Sequence, residues 1–433
     1  MSFRGKLSIL VISAVIAIYA VIGGILSPLT RAQQPINDAG AQIRIFGSVL
    51  QHIQNDYVDD PNLDKVRGGA MRGLAYGLDP YSSYLTEEQV KDFQNAKTSN
   101  KVGIGAEFSQ VSSYLYTVSV IKGSPAEKAG LKAGDVIEYI ENKATRDVSL
   151  YDARQLLQGV SGSEVNIRIL RAGAKPQTLK VPRGAYKVPP VEANVQGDKV
   201  GVIKVFSLEE GEANDIRAQV QNLSKQGVQK IILDLRGVAA GTIQEAVAVA
   251  NLFIKDGEIA KIIGRDKINQ TFTADAGKAI FDGKVVALID LGTAGAAEVV
   301  AGAILDRKRG EVVGERSFGA GTEQQLFPLK SGGGMLLTVA KWASPSGNSF
   351  LGTERTNSGV KPSVEVKKPD TPEPLEVEEM IDQQEQENQN PQPATTPTTP
   401  QKPEVKPAPT EDLQLKKALE LLSEKAMSAK SGE

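Results

Sequence analysis

The 433-residue chain carries 50 basic and 52 acidic side chains, for a formal net charge of −2, and is 40% hydrophobic but only 5% aromatic. That length suits two or three domains with real cores, while the balanced charge and few stacking platforms argue against a nucleic-acid partner. With no Cys, disulfides, thiol nucleophiles and Cys-ligated zinc are excluded, and with His52 as the only His a Ser-His-Asp triad has no other imidazole to use.

Arg4 and Lys6 precede an uncharged run of 20 residues, Leu7 to Leu26. That length spans a hydrocarbon core, and the flanking positive charge favours a cytoplasmic N-terminus, so residues 1–33 read as a transmembrane anchor. The alternative is a signal peptide cleaved near Ala32; either way the remainder is exported. Residues 34–97 read as helical, with Ile43, Phe46, Leu50, Ile53 and Tyr57 recurring every three or four positions in one apolar stripe. His52, beside Leu50 and Ile53, takes an ordinary helix-surface or packing role. Gly77 to Tyr84 then break the pattern with turn chemistry.

Within residues 98–184, Val102-Gly103-Ile104-Gly105 is followed by Gly123-Ser124-Pro125-Ala126, Ala129-Gly130-Leu131 and Gly134-Asp135-Val136-Ile137. This order resembles a PDZ domain, a small β-sandwich or barrel with two helices. The resemblance implies that Val102, Gly103, Ile104 and Gly105 present backbone N–H groups to a peptide's terminal carboxylate, the glycines letting the chain turn towards the anion. Ser149 to Gln158 would form the groove helix, where Leu150, Arg154 and Leu157 line the groove while Ala153 and Leu156 turn inward. A bound peptide would add a strand beside that helix. The competing reading makes Leu150 and Leu157 plain core residues.

Residues 185–370 read as an α/β core. Val200 to Phe206 and Ile231 to Leu235 suit strands and Glu212 to Leu223 a helix. Val285 to Ile289 is a buried strand feeding a small-residue turn and a helix from Ala297 to Leu305. A second short strand, Val312-Val313, leads to Gly319-Ala320-Gly321. A strand-to-helix turn exposes one side chain while the helix N-terminus offers free N–H groups to a developing oxyanion.

Gly292-Thr293-Ala294-Gly295-Ala296-Ala297-Glu298, then Gly314-Glu315-Arg316-Ser317-Phe318-Gly319-Ala320-Gly321 with Gln324, resemble the carboxy-terminal processing (tail-specific) proteases. Their motifs are G-[ST]-A-S-A-S-E and G-E-x-[ST]-F-G-K-G with a Gln four residues after the Lys. The family's nucleophilic Ser falls on Gly295 and its general-base Lys on Ala320, 25 positions apart as in the family. Neither residue has the group the chemistry needs, a hydroxyl to attack or an amine to take its proton. Glu298 and Gln324 are retained; Glu298 reads as stabilising a helix N-terminus, Gln324 as a leftover hydrogen-bonding group. The family's D-L-R-N-N-P-G-G appears as Asp234-Leu235-Arg236-Gly237-Val238-Ala239-Ala240-Gly241, and its L-D-P-H-S segment as Leu78-Asp79-Pro80-Tyr81-Ser82. Because Ala240, unlike Gly, resists positive φ, this reading expects a loop unable to aim its N–H inward. Restoring the dyad alone would then recover little.

Residues 371–409, rich in Pro, Gln, Glu and Thr, read as a disordered linker, and residues 410–433 as a helix that resembles the family's closing one. The fold expected is a mixed α+β chain of membrane segment, helical region, PDZ domain, α/β core, linker and C-terminal helix. The function expected is an exported homologue without peptidase activity that binds C-terminal tails of exported or membrane proteins, as adaptor, regulator or decoy beside an active paralogue. Its expected place is the cell envelope, at a bacterial inner membrane with periplasmic domains. No cofactor or metal is called for, and the oligomeric state stays open, a homo-oligomer included. The alternative is an active serine-type endopeptidase with a relocated nucleophile, Thr293 or Ser317. A laboratory-inactivated protease would explain Gly295 and Ala320 but not Ala297 or Val238 to Ala240.

Overall fold

A computed structural model describes residues 38–95, 102–265, 269–330, 332–368 and 411–423. The chain divides into two compact units, residues 1–70 and 71–433. Among the described residues no helix is long and apolar enough to cross a membrane; the predicted span at Leu7–Leu26 and the predicted linker lie outside them.

The helical region expected over residues 34–97 is broken. Helix α1 (Ala39–Asp56) ends at Tyr57, whose backbone is extended, and α2 (Leu63–Tyr76) follows. Helix α1 buries none of its residues, so its predicted stripe is real as a pattern but exposed within its own unit: Ile43 is 69% and Leu50 43% accessible. His52 pairs with Asp56 on the exposed side of α1.

The Leu78–Tyr84 turn leads into a short strand, β1 (Ser83–Leu85), and helix α3 (Glu87–Gln94), closed by a Thr86–Gln89 capping box. The PDZ domain follows as strands β2 (Ala106–Val111), β3 (Tyr114–Val120), β4 (Val136–Ile140), β5 (Lys143–Ala144), β6 (Glu164–Leu170) and β7 (Gln177–Pro182). The order is β2-β3-β4-β6-β7, with β5 on β4. A short helix α4 (Pro125–Lys128) and the groove helix α5 (Leu150–Leu157) each start on a serine, Ser124 and Ser149, whose hydroxyl accepts from the N–H three residues on.

The α/β core begins with β8 (Glu192–Gln196) and β9 (Val200–Lys204), followed by helix α6 (Glu212–Lys225), strand β10 (Lys230–Asp234) and helix α7 (Ile243–Asn251). Next come β11 (Glu258–Gly264), β12 (Asn269–Thr273), β13 (Lys284–Ile289), helix α8 (Ala296–Asp306) and β14 (Gly310–Gly314). Strands β15 (Thr322–Pro328), β16 (Gly334–Ala343) and β17 (Val364–Glu365) close the domain, and α9 (Leu413–Leu422) ends the described chain. One sheet has the order β17-β14-β13-β10-β9-β8, parallel throughout except for β8. A second sheet runs β1-β16-β11-β12 with β15 on β16. Helices α6, α7 and α8 bury one face of the parallel sheet, and α9 covers the other through Ala418 and Leu422 against Val202, Ile232 and Leu288. Helix α8 is buried from Ala296 to Ile304, which explains its small apolar composition: a helix with no solvent face needs no polar stripe.

Candidate active site

The turn from β13 into α8 is built by Asp290 and Thr293. Asp290 Oδ1 accepts from the N–H groups of Gly292 (3.0 Å) and Gly237 (2.9 Å), and its Oδ2 pairs with Lys368 Nζ at 2.7 Å. The Thr293 hydroxyl accepts from Asp290 N and donates to Leu235 O, each at 3.0 Å. Ala294 N donates to Val238 O and Phe318 N to Thr293 O, so the turn is stitched to both flanking loops. At its apex Gly295 adopts φ +55°, ψ −110°, as N-cap of α8. Side-chain-bearing residues rarely take this conformation, and it is the geometry of a strained turn that lifts one residue above a helix N-terminus. A Cβ at Gly295 would meet Trp342 Cζ3 at 3.8 Å and Ala239 O at 3.9 Å, ordinary contact distances. The position is strained in backbone but open in space.

Glu298 ties that apex to the loop carrying Ala320. Its Oε2 accepts from Gly295 N (2.7 Å) and Ala320 N (2.8 Å), and its Oε1 from Gly319 N (2.7 Å) and the Ser317 hydroxyl (2.5 Å). The residue is fully buried. Burial pushes its carboxyl up to about 7 against these four hydrogen bonds, which pull it down. The sequence reading, which saw only a helix-terminal charge, missed this bridging role. Gly295 and Ala320 are held on one carboxylate oxygen, as the intact spacing of the motif implied.

Both residues line one cavity of about 170 Å³. Its wall includes Ala239, Gly241, Thr322, Gln324 and Trp342 from the core, and Glu107, Phe108 and Arg154 from the PDZ domain. No Ser, Lys or His is among the lining residues. Gln324 Nε2 donates to Thr322 Oγ1 at 2.5 Å, and Trp342 Nε1 to Glu323 Oε1 at 2.6 Å. The backbone N–H groups of Ala296 and Gly241, both on lining residues, have no acceptor among the described residues. Two free donors beside a turn apex are what a developing oxyanion requires.

The loop from Arg236 to Gly241 corrects one expectation. Its positive φ values fall on Gly237 (+72°) and Gly241 (+150°), and Ala240 is not among the residues with positive φ. A Cβ at Gly241 would sit 2.5 Å from Leu208 O, so the glycine that packing requires is the one retained. The two hydroxyls suggested as relocated nucleophiles are structural: Ser317 is fully buried, donating to Glu298 and accepting from Val360 N at 2.6 Å, and Thr293 is fully buried in the turn.

In the PDZ domain, Val102 forms an isolated bridge with Gly159, while Gly103 O and Ile104 O accept from Gly184 and Ala126. The N–H groups of Gly103, Ile104 and Gly105 have no acceptor among the described residues. Gly105 has φ +82°, and a Cβ there would lie 2.3 Å from Ser124 Cβ. Leu150 and Leu157 are 2% accessible and belong to the domain core with Ile104 and Phe108, the placement their competing reading gave. Arg154 lies across the groove, donating to Phe108 O at 3.0 Å with Glu107 at 3.6 Å. The sequence alone did not show that Arg154 reaches the cavity of Gly295, since that depends on how the PDZ domain packs on the core.

A profile of the PDZ domain matches residues 116–171, and one of peptidase family S41 matches residues 199–366. The carboxy-terminal-processing protease of Bartonella bacilliformis is 32% identical over 334 residues, 76% of each chain. The chain belongs to this protease family. The carboxy-terminal processing protease CtpA of Bacillus subtilis is also 32% identical, over 75% of this chain and 69% of its own. Among solved structures, the photosystem II D1 C-terminal processing protease superposes with a TM-score of 0.63 at 28% identity, covering 74% of this chain and 86% of its own. Gly295 and Ala320 are the positions at which the motif resemblance set the family's Ser and Lys.

Proposed function

We propose that this chain is an exported, non-peptidase member of the family that holds the C-terminal tails of exported or membrane proteins through its PDZ domain, acting as an adaptor or regulator beside an active relative. The observation that carries this is the cavity around Gly295: it keeps the backbone of a catalytic turn but has no hydroxyl, amine or imidazole at the two chemical positions. Nothing there can attack a carbonyl or take the proton from a nucleophile, and free N–H groups alone leave about 10³-fold over water in proteases stripped of their triad. The alternative of a relocated nucleophile is not supported by Thr293 or Ser317, whose hydroxyls are engaged in the turn and on Glu298. The PDZ loop, by contrast, keeps three N–H groups at Gly103 to Gly105 that have no acceptor among the described residues. In this reading the uncharged run of residues 7–26 serves as a membrane anchor, with the folded domains on the extracytoplasmic side of a bacterial inner membrane.

The test incubates the full chain with a reporter protein bearing an apolar C-terminal tail, following cleavage by mass spectrometry and binding by fluorescence anisotropy. Saturable binding without cleavage is expected, and amidating the tail's terminus should weaken it by at least about tenfold. Cleavage that co-purifies with the chain and disappears in Thr322→Val, the one lining hydroxyl on an aliphatic side chain, would overturn the proposal. So would binding indifferent to amidation.

A further inference from the structure

A second cavity, about 680 Å³, lies at the seam of the PDZ domain, the Leu78–Ser82 turn and the core. Arg355, from the single-turn helix Arg355–Asn357 between β16 and β17, lines it. The guanidinium sits 4.3 Å from the centroid of the Phe318 ring, which stacks on Tyr116. The Arg355 side chain makes no hydrogen bond or ion pair among the described residues, and its Nη1 is buried without a partner. Glu298, the carboxylate whose field it feels most, is already occupied by four donors. Burial lowers the Arg355 pKa, as expected for a cation taken from water without an anion.

The rest of the lining decides what would satisfy it. Lys341 adds a second positive charge, its Nζ donating to Leu351 O at 3.1 Å, and the exposed Glu354 adds a carboxylate at the rim, one oxygen accepting from the Thr356 hydroxyl at 3.4 Å. Asp79 is no partner, since it accepts from Tyr81 N, Ser82 N, the Ser82 hydroxyl and the Thr338 hydroxyl. Leu78, Leu337 and Phe318 give apolar walls, interleaved with the hydroxyl and amide side chains of Ser109, Gln110 and Thr353. An anion attached to an apolar body that also carries amide groups fits this pattern, and the volume is that of a small-ligand pocket.

We propose that this cavity binds the C-terminal end of a peptide, with its carboxylate on Arg355 and its last apolar side chain between Leu337 and Phe318. The site is distinct from the PDZ loop. Residues 102–105 precede β2, whereas the cavity is lined by Ser109 to Ser112 at its far end. It goes beyond the adaptor reading and does not depend on it.

The experiment titrates the full chain calorimetrically with N-acetyl-Ala-Ala-Leu as the free acid and as the amide, using the wild type, Arg355→Gln and Arg355→Lys. The acid should bind saturably to the wild type and the amide at least about tenfold more weakly; Arg355→Gln should lose about tenfold and Arg355→Lys about threefold or less. The unliganded Arg355→Gln chain should melt no lower than wild type, since it loses an uncompensated buried charge. Equal affinity for the acid in Arg355→Gln overturns the proposal. Should that variant misfold, a photo-leucine version of the peptide on the wild type decides it: adducts at Leu337 to Arg355 support the cavity, and adducts confined to Val102–Gly105 and α5 overturn it while leaving the adaptor reading standing. Adducts in the cavity with none on the PDZ loop keep this site and remove that reading.

Discussion

Gly295 is the residue on which backbone and chemistry part company. Its φ of +55° would strain any side chain, yet a Cβ there has room, so the cost of a substitution is conformational alone. Gly295→Ala should therefore lower stability by about 1–3 kcal/mol, measured by denaturant unfolding; a neutral result would mean the turn relaxes to negative φ when unliganded. Glu298 is the complementary case, a carboxylate that braces the turn apex against the loop of Ala320. Glu298→Ala should cost about 3 kcal/mol or more, because four donors lose their acceptor in a dry interior. Its pH behaviour follows from burial raising the carboxyl from 4.5 to about 7. Between those values the folded state holds a proton that the unfolded chain gives up, so this contribution is full below about 4.5 and lost as pH rises through about 7. The melting temperature of the wild type relative to Glu298→Gln should fall from pH 5 to pH 8; a difference that rises with pH would mean the four hydrogen bonds outweigh burial.

At the scale of elements, the strands and helices that are apolar throughout were legible in sequence, and those that alternate weakly were not. Strand β13, helix α8 and strand β10 lie within a residue or two of their expected bounds because burial on both faces leaves a continuous apolar run. Strands β11, β12, β15 and β16 were not foreseen; β15 has the exposed run Gln324-Gln325 and little to mark it as a strand except its pairing with β16. The Arg236–Gly241 loop was misjudged for a related reason: a motif comparison counts lost glycines, whereas φ falls on particular ones, and Gly237 and Gly241 suffice. The C-terminal helix α9 was foreseen as an element but not as part of the core. Leu422 and Ala418 cover the outer face of the parallel sheet, and Asp412 meets Arg236 in two hydrogen bonds at 2.8 Å. Leu422→Ala should accordingly cost about 2–3 kcal/mol in urea unfolding of the full chain; a change under about 0.5 kcal/mol would show that α9 is a detachable tail.

Across the whole molecule, the PDZ domain and the core share the candidate site, with Glu107 and Arg154 lining the same cavity as Gly295 and Ala320. Its residues were found from the motif's spacing; that Arg154, Trp342 and Tyr81 join them depends on domain packing that no local pattern records. The sequence reading expected decay to extend beyond the two missing groups. In the fold, however, the Gly295 turn, the free N–H groups of Ala296 and Gly241 and the Glu298 bridge are all in place. The central claim is thus that the frame of the site is retained and only its two reacting side chains are absent. The most direct measurement is cleavage of a C-terminal tail reporter by full-length Gly295→Ser/Ala320→Lys, beside wild type and each single variant, all matched for folding by circular dichroism. The account predicts no cleavage by wild type or either single variant, and cleavage at least ~10²-fold above that background by the double variant, the scale of a positioned general base. A folded double variant as inert as wild type, or a wild type that cleaves as fast, would contradict it.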